Sequence, residues 1–280
     1  SDAVTNSSGQ TIGLGTGALA NDDGTSNNNT ALGYNALNVA TAGFDNTAVG
    51  HNAADAITTG DYNVAIGKDA LSILTTGNSN TAVGGGANYS QTTSNYNTGI
   101  GHYANVLNTT GSNNTAVGAS ANYSNNVSSD NTAVGKQANF GKVGEKNTAV
   151  GSTALFGSGT GANNTAIGQA SLFASTNGNS NTAVGADSGR TLTTGANNVF
   201  IGYDAGDATT TGQNQIVIGY DSDASSATVS NEITLGNASI TKFRIPGIDF
   251  VLKDNGGTPT TGQVLTADGS GEGYWATPAG

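Results

Sequence analysis

The chain has 280 residues, 43 of them Gly, with only 10% charged side chains and neither Cys nor Met; ordinary globular chains carry about 25% charged residues, so the composition asks for a repetitive explanation. Nineteen acidic against eight basic residues leave a net charge of −11, which repels phosphate backbones and argues against nucleic acid as a partner. The absence of Cys excludes disulfides, thiolate chemistry and Cys-based zinc sites, and no apolar run approaches the roughly 18 residues of a membrane-spanning helix.

No charged-then-apolar signal segment opens the chain, and without Met even at position 1 a processed or excised chain is expected. After a lead-in over residues 1–10, a motif of the form Asn-Thr-Ala-Val-Gly recurs from Thr11 to Thr241. Its closing glycines are Gly15, Gly33, Gly50, Gly67, Gly84, Gly101, Gly118, Gly135, Gly151, Gly168, Gly185, Gly202, Gly219 and Gly236. Eleven of the thirteen intervals are 17 residues, with one of 18 after Gly15 and one of 16 after Gly135. A period of this size marks a solenoid, because one such unit buries too little by itself and must stack on its neighbours.

Within each unit the residue before the Gly is aliphatic (Leu32, Val49, Ile66, Val83) and the residue two before that is β-branched (Thr30, Thr47, Val64, Thr81). Period-2 alternation of such residues predicts a strand, and the two positions are expected to share the inner, core-facing side. Between them stands a small residue on the opposite face: Ala31, Ala48, Ala65, Ala82, Ala116, Ala133, Ala149, Ala166 and Ala183. An almost unbroken Ala column points to close approach of another surface. Three residues after the Gly a small Ala or Ser is expected to open a second short strand. A turn follows at Gly60, Gly77, Gly111, Gly195 and Gly212, and Asn then stands four residues before the next closing Gly in eleven units, where it can bond the local backbone. The predicted fold class is therefore all-β, a parallel β-roll or β-solenoid of about fourteen 17-residue coils over 11–241. Residues 242–280 are expected to form a small C-terminal β cap: a strand over 242–252, a loop at 254–257, and a hairpin pairing Val264-Leu265 with Tyr274-Trp275.

The series resembles the head repeats of trimeric autotransporter adhesins, and equally repeat stretches of phage tail fibres. The resemblance covers about residues 11–241 and departs from the adhesin pattern in using Thr where Val is usual and in its longer coil. It implies a left-handed roll and a homotrimer, with the Ala column above as trimer interface. The tail from Gly262-Gln263-Val264-Leu265-Thr266-Ala267-Asp268-Gly269-Ser270-Gly271 to Tyr274-Trp275 is similar to segments of phage fibres just ahead of a trimerisation chaperone. The implied function is host attachment by an extracellular fibre of a phage virion, through a cell-surface receptor or glycan; a bacterial surface adhesin head is the alternative, with an ice-binding solenoid and a polysaccharide depolymerase behind it.

Little in the sequence suggests other chemistry. Gly-x-Gly strings such as Gly13-Leu14-Gly15 and Gly84-Gly85-Gly86 lack the following helix that a phosphate cradle needs and read as turn glycines. Asp187, Asp204 and Asp221 share one offset in three consecutive coils, so stacking sets them about one strand spacing apart, where Ca²⁺ could relieve their repulsion. His51 and His102 follow closing glycines three coils apart, about 14 Å, too far to share a metal. Tyr89, Val106, Tyr123, Phe140, Phe156 and Phe173 form one column, read mainly as packing, with Asn88, Asn105, Asn122 and Asn139 beside it. No catalytic set and no resident cofactor is expected.

Overall fold

The computed structural model describes residues 3–6, 11–22, 27–141, 144–242, 264–267 and 273–276, with side-chain surroundings for those between 11 and 242. The chain divides into two compact units, Ser1–Ser239 and Ile240–Gly280. The first is a fifteen-stranded sheet whose strands follow sequence order, from β1 (Ala3–Asn6) and β2 (Thr11–Leu14) to β15 (Ile233–Leu235). β1 lies antiparallel to β2, Ala3 opposite Leu14. From β2 onward every pairing is parallel and in register, so that Thr148, Ala149 and Val150 face Thr165, Ala166 and Ile167. The result is an all-β parallel β-solenoid of thirteen turns, without a helix among the described residues. Both irregular intervals keep this register, Ile12 facing Thr30 and Thr132 facing Thr148; the turns, not the strands, absorb the odd residue.

Each coil contains one strand, not two. The small residue three after the closing Gly sits in a turn, flanked by residues of positive φ two and four past the Gly, as at Asn35 (53°) and Leu37 (48°) or Asp69 (57°) and Leu71 (52°). Left-handed leucines are uncommon. They persist here because Leu37, Leu71, Leu155 and Leu172 are wholly buried, and burying a Leu side chain is worth about 1.5–3 kcal/mol against a similar strain of about 1–3 kcal/mol.

The sense of the strand is opposite to the sequence expectation. The Ala column points into the coil, with Ala48, Ala65, Ala82, Ala116, Ala133, Ala149, Ala166 and Ala183 at 0% exposure and Ala31 at 1%, while the β-branched and aliphatic positions point outward. The coil is thin, and only a small side chain fits between the strand and the turn behind it. A Cβ at Gly13, which takes the Ala place in β2, would lie 3.2 Å from Leu19 Cδ1. Where a large residue does occupy the column, the opposing position empties: Phe200 is fully buried, and a Cβ at Gly189, one of the two glycines that replace Leu beside it, would come 2.7 Å from its ring.

Two further ladders hold the coils together. The Asn four before the closing Gly is buried; its amide donates to a turn carbonyl of the next coil (Asn46 to Gly60, 2.8 Å) and its oxygen accepts the backbone N–H of the next Asn (Asn63 to Asn46, 2.9 Å). The arrangement repeats through Asn198, except that the Asn131 amide donates to Ser129 of its own coil, and ends with Gln215, whose longer amide reaches the Val229 carbonyl. The closing glycines from Gly15 to Gly219 hold φ between 130° and 141°, and a Cβ on Gly118 would lie 2.6 Å from the Gly135 carbonyl oxygen. That position admits no other residue.

In the second unit, β16 (Val264–Ala267) and β17 (Gly273–Ala276) pair antiparallel with Leu265 opposite Trp275, the hairpin expected from the alternation there. The expected strand over 242–252 lies almost wholly outside the described residues, and the loop at 254–257 entirely so.

Candidate functional site

The strands present one continuous outer face. Its two columns are the β-branched position (Thr47, Thr81, Thr115, Thr148 and their equivalents, half-buried in most coils) and the aliphatic position, where Leu32 is 46% and Ile100 40% exposed. Fourteen parallel strands at about 4.8 Å spacing make this stripe about 60 Å long. With two columns it covers on the order of 600 Å², at the upper end of the patches that soluble monomers leave exposed, and Thr hydroxyls interleave its aliphatic column in nine of the fourteen strands. The Ala residues expected at a chain interface are covered by their own coil instead, so any interface on this sheet is made by the outward columns.

Asp187, Asp204 and Asp221 do stack on consecutive coils, all with positive φ, through backbone bonds such as Asp204 N–H to Ala186 and Asp221 N–H to Tyr203. Asp187 lies 3.5 Å from Arg190 Nε, and no group of three or more acidic, His or Cys side chains suited to a metal occurs among the described residues. Next to them, burial first and then Asp223, Asp204 and Asp221 raise the Asp207 carboxyl above its ordinary range, while Tyr203, stacked on Tyr220 at 5.6 Å, is raised chiefly by the charge of Asp204. The aromatic column is a packed ribbon: Tyr123, Phe140, Phe156 and Phe173 lie half-buried, with ring centres 4.9–5.1 Å apart and planes 4–17° from parallel.

The two histidines are exposed and separate. His51 stacks on Tyr34 at 5.2 Å and stands 3.9 Å from the Asp69 carboxylate. His102 is packed against Tyr103, with ring centres 3.9 Å apart, and lines a feature the sequence reading does not anticipate. One and two residues past the closing Gly most coils carry outward side chains, such as Lys68-Asp69 and His102-Tyr103; the coil between those two carries Gly85-Gly86. The Tyr103 ring lies over Gly86, and the side chain missing at Gly85 leaves a notch of about 430 Å³ whose walls are these two pairs, with Tyr89 and Val106 beside it. Its floor is in order: Gly86 N–H donates to Lys68 and Tyr103 N–H to Gly85. The signal was present in the run Gly84-Gly85-Gly86, but it acquires meaning only when the columns are aligned coil on coil.

No family model, no curated protein and no solved structure matches this chain.

Proposed function

We propose that this chain is a segment of an extracellular attachment fibre, of a phage tail in the first instance and of a bacterial surface adhesin as the alternative, and that it works as a homotrimer. The observation that carries the reading is the outward stripe of aliphatic and β-branched residues along all fourteen parallel strands. Its area of about 600 Å² approaches the roughly 800 Å² per partner of a standard protein interface, and an identical repeat in each copy lets strand columns match along their whole length. In the adhesin-like arrangement each chain turns this face towards the others, leaving turns and ends for contact with a receptor or glycan. The fibre acts by rigid reach and by presenting each contact in three copies, without catalysis, cofactor or resident metal. Molecular mass in solution tests it: a trimer is expected, and a monomer overturns it.

A second reading has one specific observation in its favour. The motif threonines stand on the outer face, in a regular array with the aliphatic column, which is the geometry an ice-ordering surface requires. A monomer that produces thermal hysteresis would establish this reading in place of the first.

A further inference from the structure

We propose that the notch at Gly85-Gly86 is a binding site for a pyranose ring of a saccharide, a reading that rests on the attachment function for its biological sense and gives that function a location. Flat side chains one residue past the closing Gly stack from coil to coil, Tyr34 on His51 at 5.2 Å and Tyr203 on Tyr220 at 5.6 Å. Gly85 removes one member of such a column between Lys68 and His102, two coils or about 9.6 Å apart, so one layer is vacant. Gly86 has φ 63° and a Cβ there would come 2.6 Å from the Tyr103 ring, so the glycine is what lets that ring lie along the wall.

The chemistry of the lining selects the ligand. Tyr89, Tyr103 and the His102 imidazole offer ring surfaces suited to the apolar C–H face of a sugar. Lys68 donates, Asp69 accepts and His102 can do either, matching hydroxyls that do both. An isolated phosphate is a poor fit, because the lone ammonium lies 3.5 Å from the Asp69 carboxylate, which opposes an anion. A wholly apolar ligand would strand these polar groups. The volume of about 430 Å³ falls within the roughly 300–1,000 Å³ of small-ligand sites.

The test is saturation-transfer NMR and titration calorimetry on the full chain with methyl glycosides of glucose, galactose, N-acetylglucosamine and glucuronate. The expected result is binding of at least one of them. Gly85→Tyr should weaken that binding about tenfold or more without changing thermal melting, because Tyr34, Tyr203 and Tyr220 already occupy the same offset. Tyr89→Leu follows the aliphatic Val106 at the same offset of the next coil; it should weaken binding by a smaller factor and serves if the first variant fails to fold. Binding of none of the glycosides, equal binding by Gly85→Tyr, or transfer to adenosine and free tyrosine but to no glycoside would each overturn the site. Attachment to a panel of bacterial strains separates the two ideas. Attachment with no glycoside bound sinks the notch and leaves the fibre, whereas a notch that binds glycoside on a chain that attaches to nothing sinks the fibre and leaves the notch.

Discussion

Two stretches of the solenoid share one backbone and fill it in opposite ways. Around Leu37, Ile57, Leu71 and Leu74, and again around Leu155, Leu172, Leu192 and Phe200, the coil interior is hydrocarbon. Between them the same positions carry Asn88, Asn105, Asn122 and Asn139, with Gln91, Asn108 and Asn125 nearby, and all are fully buried. In the Asn88 column the amides are tolerable because stacking supplies each with a neighbour: Asn105 donates to Asn88 (3.1 Å), Asn122 to Asn105 (2.8 Å) and Asn139 to Asn122 (2.7 Å); Asn108 and Asn125 bond their own turns at Gly111 and Ser128, and Gln91 Oε1 and Nε2 have no partner. The lower end closes on the Thr81 carbonyl. The upper end does not close, since Asn139 Oδ1 has no partner. Within that column an in-register stack thus converts a costly interior amide into a satisfied one at every position except the last, which a single coil could not do.

The largest effect should fall on the frame both stretches share. Gly118→Ala in the amide stretch and Gly168→Ala in the leucine stretch each drive a Cβ into the next coil's backbone from a φ only glycine accepts. Both should cost more than about 4 kcal/mol and show as loss of soluble folded protein; survival of one would mean the stretches differ in backbone as well as filling. Next, Phe200→Ala opens a cavity between Gly189 and Gly206 that no neighbour can fill, and should cost about 3–5 kcal/mol by chemical denaturation.

The amide stretch should respond to position rather than to volume. Asn122→Leu leaves Asn105 Oδ1 without a donor and Asn139 Nδ2 without an acceptor, at about 1–3 kcal/mol for each. Asn139→Leu removes the unpartnered oxygen while orphaning one other, at a net effect within about 1 kcal/mol; Leu155 and Leu172 hold the same left-handed conformation at that offset, so no strain is added. Equal costs for the two would refute the ladder as the stabilising unit, and amide exchange read coil by coil gives the finest measure.

The smallest effect concerns Asp55, at the edge of the lower leucine stretch. Burial raises its carboxyl above the ordinary range; its own backbone N–H lowers it somewhat, and Asp69 adds to the rise. Its Oδ1 has no hydrogen-bond partner. The folded chain therefore holds this proton more tightly than the unfolded chain, so stability is greatest below the ordinary carboxylate pKa and declines as pH rises through the raised value. Asp55→Asn should flatten that slope and raise stability at neutral pH, by no more than about 0.5 kcal/mol for a half-buried group; a fall in stability would contradict the assignment.

The strands were legible because Thr47-Ala48-Val49-Gly50 and its equivalents repeat both an alternation and a glycine that the backbone cannot replace. Alternation says which residues share a face, not which face turns inward. Hydrophobicity alone put Val49 and Ile66 inside; size decides for Ala48 and Ala65, since a coil this thin has no room for more. The replacement of Ala by Phe200 with Gly189 and Gly206 nearby already carried that information as a compensation of volumes. The turns were misread as a second strand because left-handed Leu37 and Leu71 run against local propensity and are held by tertiary burial. The notch escaped notice because a triplet of glycines is ordinary in such a sequence until its neighbours above and below are known.

The in-register parallel pairing also fixes how this solenoid should yield to force. Strands run across the stacking axis, so tension along that axis passes in series through every inter-coil seam, and no seam shares its load with another. The seams therefore fail one by one, and each coil freed releases 17 residues of chain, roughly 50 Å of new length at about 3.4 Å per residue. A single molecule held between two beads should lengthen in a staircase of such steps, its stiffness set by the weakest seam and its extensibility by the number of coils.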